Sequence, residues 1–300
     1  MNKLVLVDGN AILHRAFHAL PPLTNRFGEP INAVYGLISM LLRVIADLNP
    51  THIAVCFDVK APTFRKKLFK EYQSQRPPTH DDLSSQFEKA KRVIKAFGIP
   101  IYEKKGFEAD DVIGTIAYSV QRTADSEVVI VTGDRDLLQL VNDKVRLYMP
   151  ISGLSSGKLM GVEETIEKMG VAPKLIPDYK ALVGDPSDNY KGVAGIGPKT
   201  AISLLEEFGD FKEIYENINK VSPKTREKLI KDKKNAILSH KLATIVKNVP
   251  VKLDLRSACK WDVDSGKVIE LFKEYGFKTL TERVKREGQE HDGKKQMTFL

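Results

Sequence analysis

Three short apolar runs of this chain finish on aspartate: KLVLVD on Asp8, HIAVCFD on Asp58 and EVVIVTGDRD on Asp134 and Asp136. Helical patterns alternate with them, which is the signature of a mostly parallel sheet with crossover helices. The carboxyl ends of parallel strands face one common edge, and ligands bind in the crevice there. A fourth run, IPIYEKKGFEADD, reads as a strand, a turn and the first turn of a helix that carries Glu108, Asp110 and Asp111. Ile113, Ile116, Ala117 and Val120 bury that helix against the sheet. An acid at a helix start is favoured by the macrodipole, so a cap accounts for any one of these residues. It does not account for all of them at one edge.

Converging carboxylates raise one another's pKa unless a cation intervenes. The set offers only oxygen ligands, with no His or Cys at metal spacing, which favours Mg²⁺ or Mn²⁺ over zinc. Two such ions about 4 Å apart suit phosphodiester hydrolysis, because they serve the attacking and departing oxygens together. Residues 182–201, LVGDPSDNYKGVAGIGPKTA, add Asp185 and Asp188 in a turn, followed by Gly192, Gly195 and Gly197 at the start of an apolar helix. Glycines permit tight turns and close backbone approach, and the amides of a helix start hold phosphate oxygens, here with Lys199 and Thr200 beside them. This is a phosphate grip of the helix-hairpin-helix kind, which positions a duplex without reading its sequence.

Length and charge agree with that reading. A chain of 300 residues, 42% hydrophobic and 29% charged, buries a sizeable core in one large domain or two modest ones. Its net charge of +8 suits a polyanionic partner. The bases concentrate in VKAPTFRKKLFKEYQSQR and KVSPKTREKLIKDKKN. No apolar run approaches the roughly 18 residues of a membrane span, and the N-terminus lacks a cleavage site, so the expected location is the cytoplasm, in association with the nucleoid. Cys56 and Cys259 match no metal or redox spacing and read as unpaired thiols.

The motifs LVDGN, FD, FEADDVIG, VTGDRDLLQL and LVGDPSDNYKGVAGIGPKTA, in this order, resemble the 5′-nuclease (flap endonuclease) family, most closely the 5′→3′ exonuclease domain of bacterial DNA polymerase I, over about residues 3 to 285. The resemblance implies a metal-dependent nuclease that acts on 5′ flaps, on nicked or 5′-recessed duplex DNA and on RNA primers annealed to DNA, leaving a 5′-phosphate. It assigns Asp8, Asp58, Glu108 and Asp110 to a first metal, with Asp111 close by, and Asp134, Asp136, Asp185 and Asp188 to a second. A K⁺ ion at the helix-hairpin-helix is a further candidate. The implied architecture is an α/β nuclease core over 1–175, a helical arch at about 60–90, a helix-hairpin-helix region over 176–285 and a flexible tail over 286–300.

In the arch stretch Arg65, Lys66, Lys70 and Arg76 are the expected phosphate contacts and Tyr72 the expected base stacker. Arg15 is a further candidate near the scissile phosphate. The family pattern here is Tyr-Lys-x-x-Arg, and Gln73 stands at the lysine position. Polymerase I continues into further domains, so a polymerase acting in trans is expected as a partner. The terminal Gln296-Met297-Thr298-Phe299-Leu300 resembles a sliding-clamp docking peptide, although the usual final pair is Leu-Phe. Two rivals fit less well. A non-catalytic flap binder leaves the gathered acids without partners, and an aspartate-nucleophile phosphatase needs Asp-x-Asp where position 10 is Asn.

Overall fold

A computed structural model describes residues 2–123, 126–151 and 156–298, with backbone only from residue 289. The chain runs β1 (Asn2–Asp8), α1 (Gly9–Ala19), α2 (Asn32–Leu48), β2 (His52–Cys56), α3 (Phe64–Leu68), α4 (Asp81–Ser84), α5 (Gln86–Ala96), β3 (Ile101–Tyr102), α6 (Ala109–Thr123), β4 (Ser126–Val131), β5 (Val145–Pro150) and β6 (Gly157–Met160). Helices follow: α7 (Val162–Met169), α8 (Ile176–Val183), α9 (Pro198–Phe208), α10 (Phe211–Glu216), α11 (Pro223–Lys231), α12 (Lys233–Ala243), α13 (Leu255–Ala258), α14 (Gly266–Tyr275) and α15 (Lys278–Thr298).

The strands form one six-stranded sheet in the order β3-β2-β1-β4-β5-β6, parallel except for the antiparallel edge pair β5 and β6. The expected mostly parallel sheet with flanking helices is what the chain forms. Successive strand side chains point to opposite faces, and because helices cover both faces β1 and β4 are near-continuous buried runs. Val5 and Val7 of β1, Val55 of β2 and Val129 of β4 enter the core shared with α1, α2 and α5. Leu4, Leu6, Ala54 and Ile130 enter the core on the α6 side. The chain leaves β1 toward β2 and β3, then returns to pair β4 on the other side of β1. Connections diverge at that switch point and open a crevice at the carboxyl ends of β1 and β4.

Three of the expected regions have the following structure. The stretch expected as a helical arch at about 60–90 holds the short α3 and α4 and the start of α5, with turns over 70–76 after α3, because Pro77 and Pro78 interrupt helix and Tyr72 buries its ring with Tyr190, Leu242 and Ala243. Within the region 176–285, Ile176, Leu204, Ile214 and Leu229 join the core on the α6 side, and Trp261, Val268, Phe272, Phe277 and Val284 join the core beside α2 and α5. The run expected as a flexible tail continues α15 in helical backbone to Thr298, in keeping with its Lys, Arg, Glu and Gln content. Of the expected docking peptide, Phe299 and Leu300 lie outside the described residues. Among the described residues no helix is long and apolar enough to cross a membrane.

Candidate active site

β1 delivers Asp8 where the chain turns into α1. One carboxylate oxygen caps α1 by accepting the Ala11 N–H (2.9 Å), and the other accepts the Thr132 hydroxyl from the end of β4 (2.9 Å). Asp58 lies two residues past β2, held by its own N–H donating to Asn10 Oδ1 and by its Oδ1 accepting the Ala109 N–H (2.7 Å). That second bond ties the end of β2 to the start of α6, so Glu108 and Asp110 arrive at the same edge. These four acids line a cavity of about 630 Å³ together with Asp134, Asp136 and Asp188.

A second group gathers across the cavity. Asp136, Asp185 and Asp188 each offer an oxygen within 4.8 Å of the others. Lys180, on α8, places its ammonium between Asp136 and Asp185, 2.6 Å from the latter. The Tyr72 hydroxyl stands between the two groups, 3.2 Å from Glu108 Oε2 and 3.0 Å from Asp188 Oδ2, while Arg76 pairs with Asp188. Asp134 caps the turn into residues 136–140 by accepting the Asp136 N–H (2.8 Å), and it also faces a second cleft of about 830 Å³ with Asp185 and Arg15.

The glycine-rich loop lies between α8 and α9. A Cβ at Gly192 would sit 2.3 Å from the Leu182 carbonyl oxygen, so only glycine fits against the end of α8. Gly195 adopts φ +76°, the left-handed region. Gly197 is extended and needs no such freedom, but it faces open space at the start of α9, beside exposed Lys199 and Thr200.

Family models decide what this arrangement belongs to. Residues 3–170 match the 5′-3′ exonuclease N-terminal resolvase-like domain, and residues 171–265 match the 5′-3′ exonuclease C-terminal SAM fold. The chain belongs to the 5′-3′ exonuclease family. It is 40% identical over 291 residues to DNA polymerase I of Bacillus caldotenax and 41% identical over 295 residues to that of Pseudomonas aeruginosa, covering 97% and 96% of this chain. It spans 33% and 32% of those polymerases. Among solved structures, the T5 D15 protein co-crystallised with metal ions superposes with a TM-score of 0.66 at 20% identity, over 95% of this chain and 98% of that one. Flap endonuclease-1 from Methanococcus jannaschii gives 0.60 at 18%, over 98% and 94%. At such identities these two likenesses establish the fold.

Within this exonuclease fold, several expected site residues have other partners. Asp111 is fully buried and pairs with both terminal nitrogens of Arg65 (2.7 and 2.9 Å), while accepting the N–H groups of Glu108 and Val246. Its oxygens are thereby spent, which removes it from the metal set. Arg65 is 1% exposed and also donates to the Leu242 and Thr244 carbonyls, so it holds α3 to the core rather than awaiting a phosphate. Tyr72, expected to stack on bases, is 3% exposed and uses its hydroxyl on the acids. Lys66 and Arg76 do line the cavity, with Lys66 bonded to the Tyr72 carbonyl. Lys70 is exposed on the following turn. Arg15 points along the second cleft and donates to the Pro150 and Ile151 carbonyls.

The electrostatics of this exonuclease edge call for cations. Burial, with Asp58 and Asp134 adding, pushes the Asp8 carboxyl up to about 7. Burial raises Asp58, Glu108 and, most of all, Asp110, against the pull of nearby Arg65. It pushes Asp136 up to about 6 although Lys180 opposes it. For Asp185 the same burial is outweighed by Lys180 and Ser187, and its carboxyl lies below the usual range. An all-carboxylate set strained toward protonation fits a hard divalent ion. Thr132, Asn10, Thr63 and Lys180 are site residues that sequence reasoning missed. Only Lys180 carried a usable signal, a lysine five residues before Asp185 in a short helix.

Proposed function

We propose that the chain is a structure-specific 5′ nuclease that hydrolyses phosphodiesters in 5′ flaps, nicked or 5′-recessed duplex DNA and RNA primers on DNA, leaving a 5′-phosphate. The observation that carries this reading is a cavity lined by Asp8, Asp58, Glu108 and Asp110 on one side and by Asp136 and Asp188 on the other, where Asp185 joins the latter two from the adjoining cleft and Asp134 faces both spaces. These residues would hold two Mg²⁺ or Mn²⁺ ions, which when bound neutralise phosphate charge and make a water acidic enough to attack.

The chain's own groups have distinct tasks. Thr132, the Ala109 amide and Thr63 orient Asp8, Asp58 and Glu108, so the donor oxygens keep their positions when they lose their protons. Arg76 and Lys66 at the cavity lip offer cations to the strand that enters it, and Gln73 between them contributes an amide where the family has lysine. The 192–200 loop would hold the duplex by its phosphates, fixing which bond reaches the acids. The family and the partial span of the polymerase relatives support action beside a DNA polymerase, supplied in trans or by further chain.

The test is a labelled 5′-flap duplex incubated with and without Mg²⁺. Asp110→Ala and Asp185→Ala should each abolish cleavage and leave flap binding within about threefold, since each removes a ligand rather than a DNA contact. Cleavage by either variant at near the parental rate would overturn the assignment.

A further inference from the structure

We infer that Asn189 is a positioning residue: its side-chain amide fastens the 71–76 turn of the arch stretch onto the loop that carries Asp185 and Asp188, so the groups that meet the entering strand and the second carboxylate group are held as one unit. The inference rests on reading the cavity as a nuclease site. Asn189 Nδ2 donates to the Glu71 carbonyl oxygen and to Ser74 Oγ, each at 2.9 Å, across 118 and 115 residues of chain. A carbonyl oxygen only accepts, so the nitrogen of the amide must face it, and the two acceptors take both of its hydrogens. The backbone N–H of Asn189 is taken by the Pro186 carbonyl at 3.2 Å. Asn189 therefore has no donor left for a phosphate.

The backbone is shaped for this contact from both sides. Gln73 and Asn189 are two of the three non-glycine residues with positive φ among the described residues, at +55° and +58°. Left-handed residues other than glycine are costly and persist where neighbouring contacts over-determine them, commonly at functional sites. Here the two segments bond directly, the Gln73 N–H donating to the Asp188 carbonyl oxygen at 2.9 Å. The Tyr72 ring shares a small core with Tyr190, and Arg76 pairs with Asp188 and donates from Nε to the Ser187 carbonyl at 3.5 Å. Residues 71, 72, 73, 74 and 76 thus each meet one of residues 187–190. Gln73, Arg76 and Asp188 line the cavity, and Asn189 itself is not part of its lining. Loosening the contact leaves every ligand and cation chemically intact but free to shift against the others, and misplacement of reacting groups costs rate rather than binding.

The experiment makes three measurements on the full chain: single-turnover cleavage of a labelled 5′-flap duplex in Mg²⁺, flap affinity by fluorescence anisotropy in chelator, and tryptic cutting of the metal-free protein after exposed Lys70. Asn189→Asp keeps the shape and tolerates left-handed backbone but has no side-chain hydrogen to give, and Asn189→Gly keeps the backbone and drops the side chain. Each should cleave about tenfold more slowly at saturating protein, hold its flap Kd within about twofold of the parent, and be cut after Lys70 about fivefold faster. Ser74→Ala removes one acceptor from the opposite side and leaves the Asp185–Asp188 loop untouched, and should slow cleavage by about threefold with Kd unchanged. Parental cleavage rates in these variants overturn the inference. So does a loss of affinity equal to the loss of rate, which would make Asn189 a DNA contact, and so does tryptic cutting that stays at the parental rate. A parent protein that leaves the flap intact overturns the nuclease reading instead, and the tryptic comparison still decides whether Asn189 fastens the turn.

Discussion

Arg65 separates a structural from a DNA-contacting reading more sharply than any other residue near the cavity. It is 1% exposed, bonds Asp111 through two nitrogens at 2.7 and 2.9 Å, and donates to the carbonyls of Leu242 and Thr244. Removing one partner of a buried ion pair leaves the other charge uncompensated and costs about 3–5 kcal/mol. The two orphaned carbonyls add about 1 kcal/mol or more each. Arg65→Ala should therefore lower the unfolding free energy by about 5 kcal/mol. Arg65→Lys keeps the charge but not the planar fork, and should lose about 2 kcal/mol. Asp111→Ala should match Arg65→Ala, because it orphans the Glu108 and Val246 amides as well. The double substitution to methionine at both positions should cost much less than the two losses combined. Urea unfolding monitored by circular dichroism, on metal-free protein, reads all four. A phosphate-contacting arginine behaves oppositely: Arg65→Ala within about 1 kcal/mol of the parent, with a salt slope of DNA binding reduced by about one, would refute the buried-pair account.

The Asp8 carboxyl stands at about 7 against an ordinary 3.8. A raised acid means that the folded state holds the extra proton, so metal-free stability falls as pH rises through that window, by about 1.4 kcal/mol per pH unit and on the order of 4 kcal/mol in all. Mg²⁺ should accordingly raise the melting temperature more at pH 8 than at pH 5.5, and equal increments at the two pH values would contradict the charge-crowding argument. Lys180→Met removes the ammonium between Asp136 and Asp185, so Mg²⁺ should bind that group about tenfold more tightly by calorimetry; weaker binding would mean that Lys180 organises the group rather than competing for it. Gln73→Lys puts a cation into the cavity wall, and single-turnover flap cleavage should rise by about tenfold with little change in affinity, an unchanged rate showing that Arg76 or Lys66 already fills the role.

The sequence by itself determined where the acids go. Strand runs that alternate with helices give a mostly parallel sheet, parallel strands share a carboxyl edge, and Asp8 ends its strand while Asp58 and Asp134 follow theirs by two or three residues, so their meeting is a consequence of topology. The glycines of the 192–197 loop were legible for the same local reason, since a backbone that must approach the end of α8 or adopt positive φ excludes a Cβ. Only the tertiary structure decided what each acid does there. Asp110 and Asp111 are adjacent and chemically identical, yet α6 turns one toward the cavity and the other inward onto Arg65, 46 residues away. The cations of the arch stretch were equally indistinguishable in sequence, because burial of the Tyr72 ring against Tyr190 and Leu242 draws that segment down and selects Arg65 for the core, leaving Lys70 exposed on the turn. Lys180 and Lys228 reach their partners by packing between helices, and no local spacing encodes which carbonyl or carboxylate a long lysine stem will find. Backbone topology is set by periodicity that any window of sequence reveals, whereas the pairing of long charged side chains is settled by which helices touch, and that depends on the whole core at once.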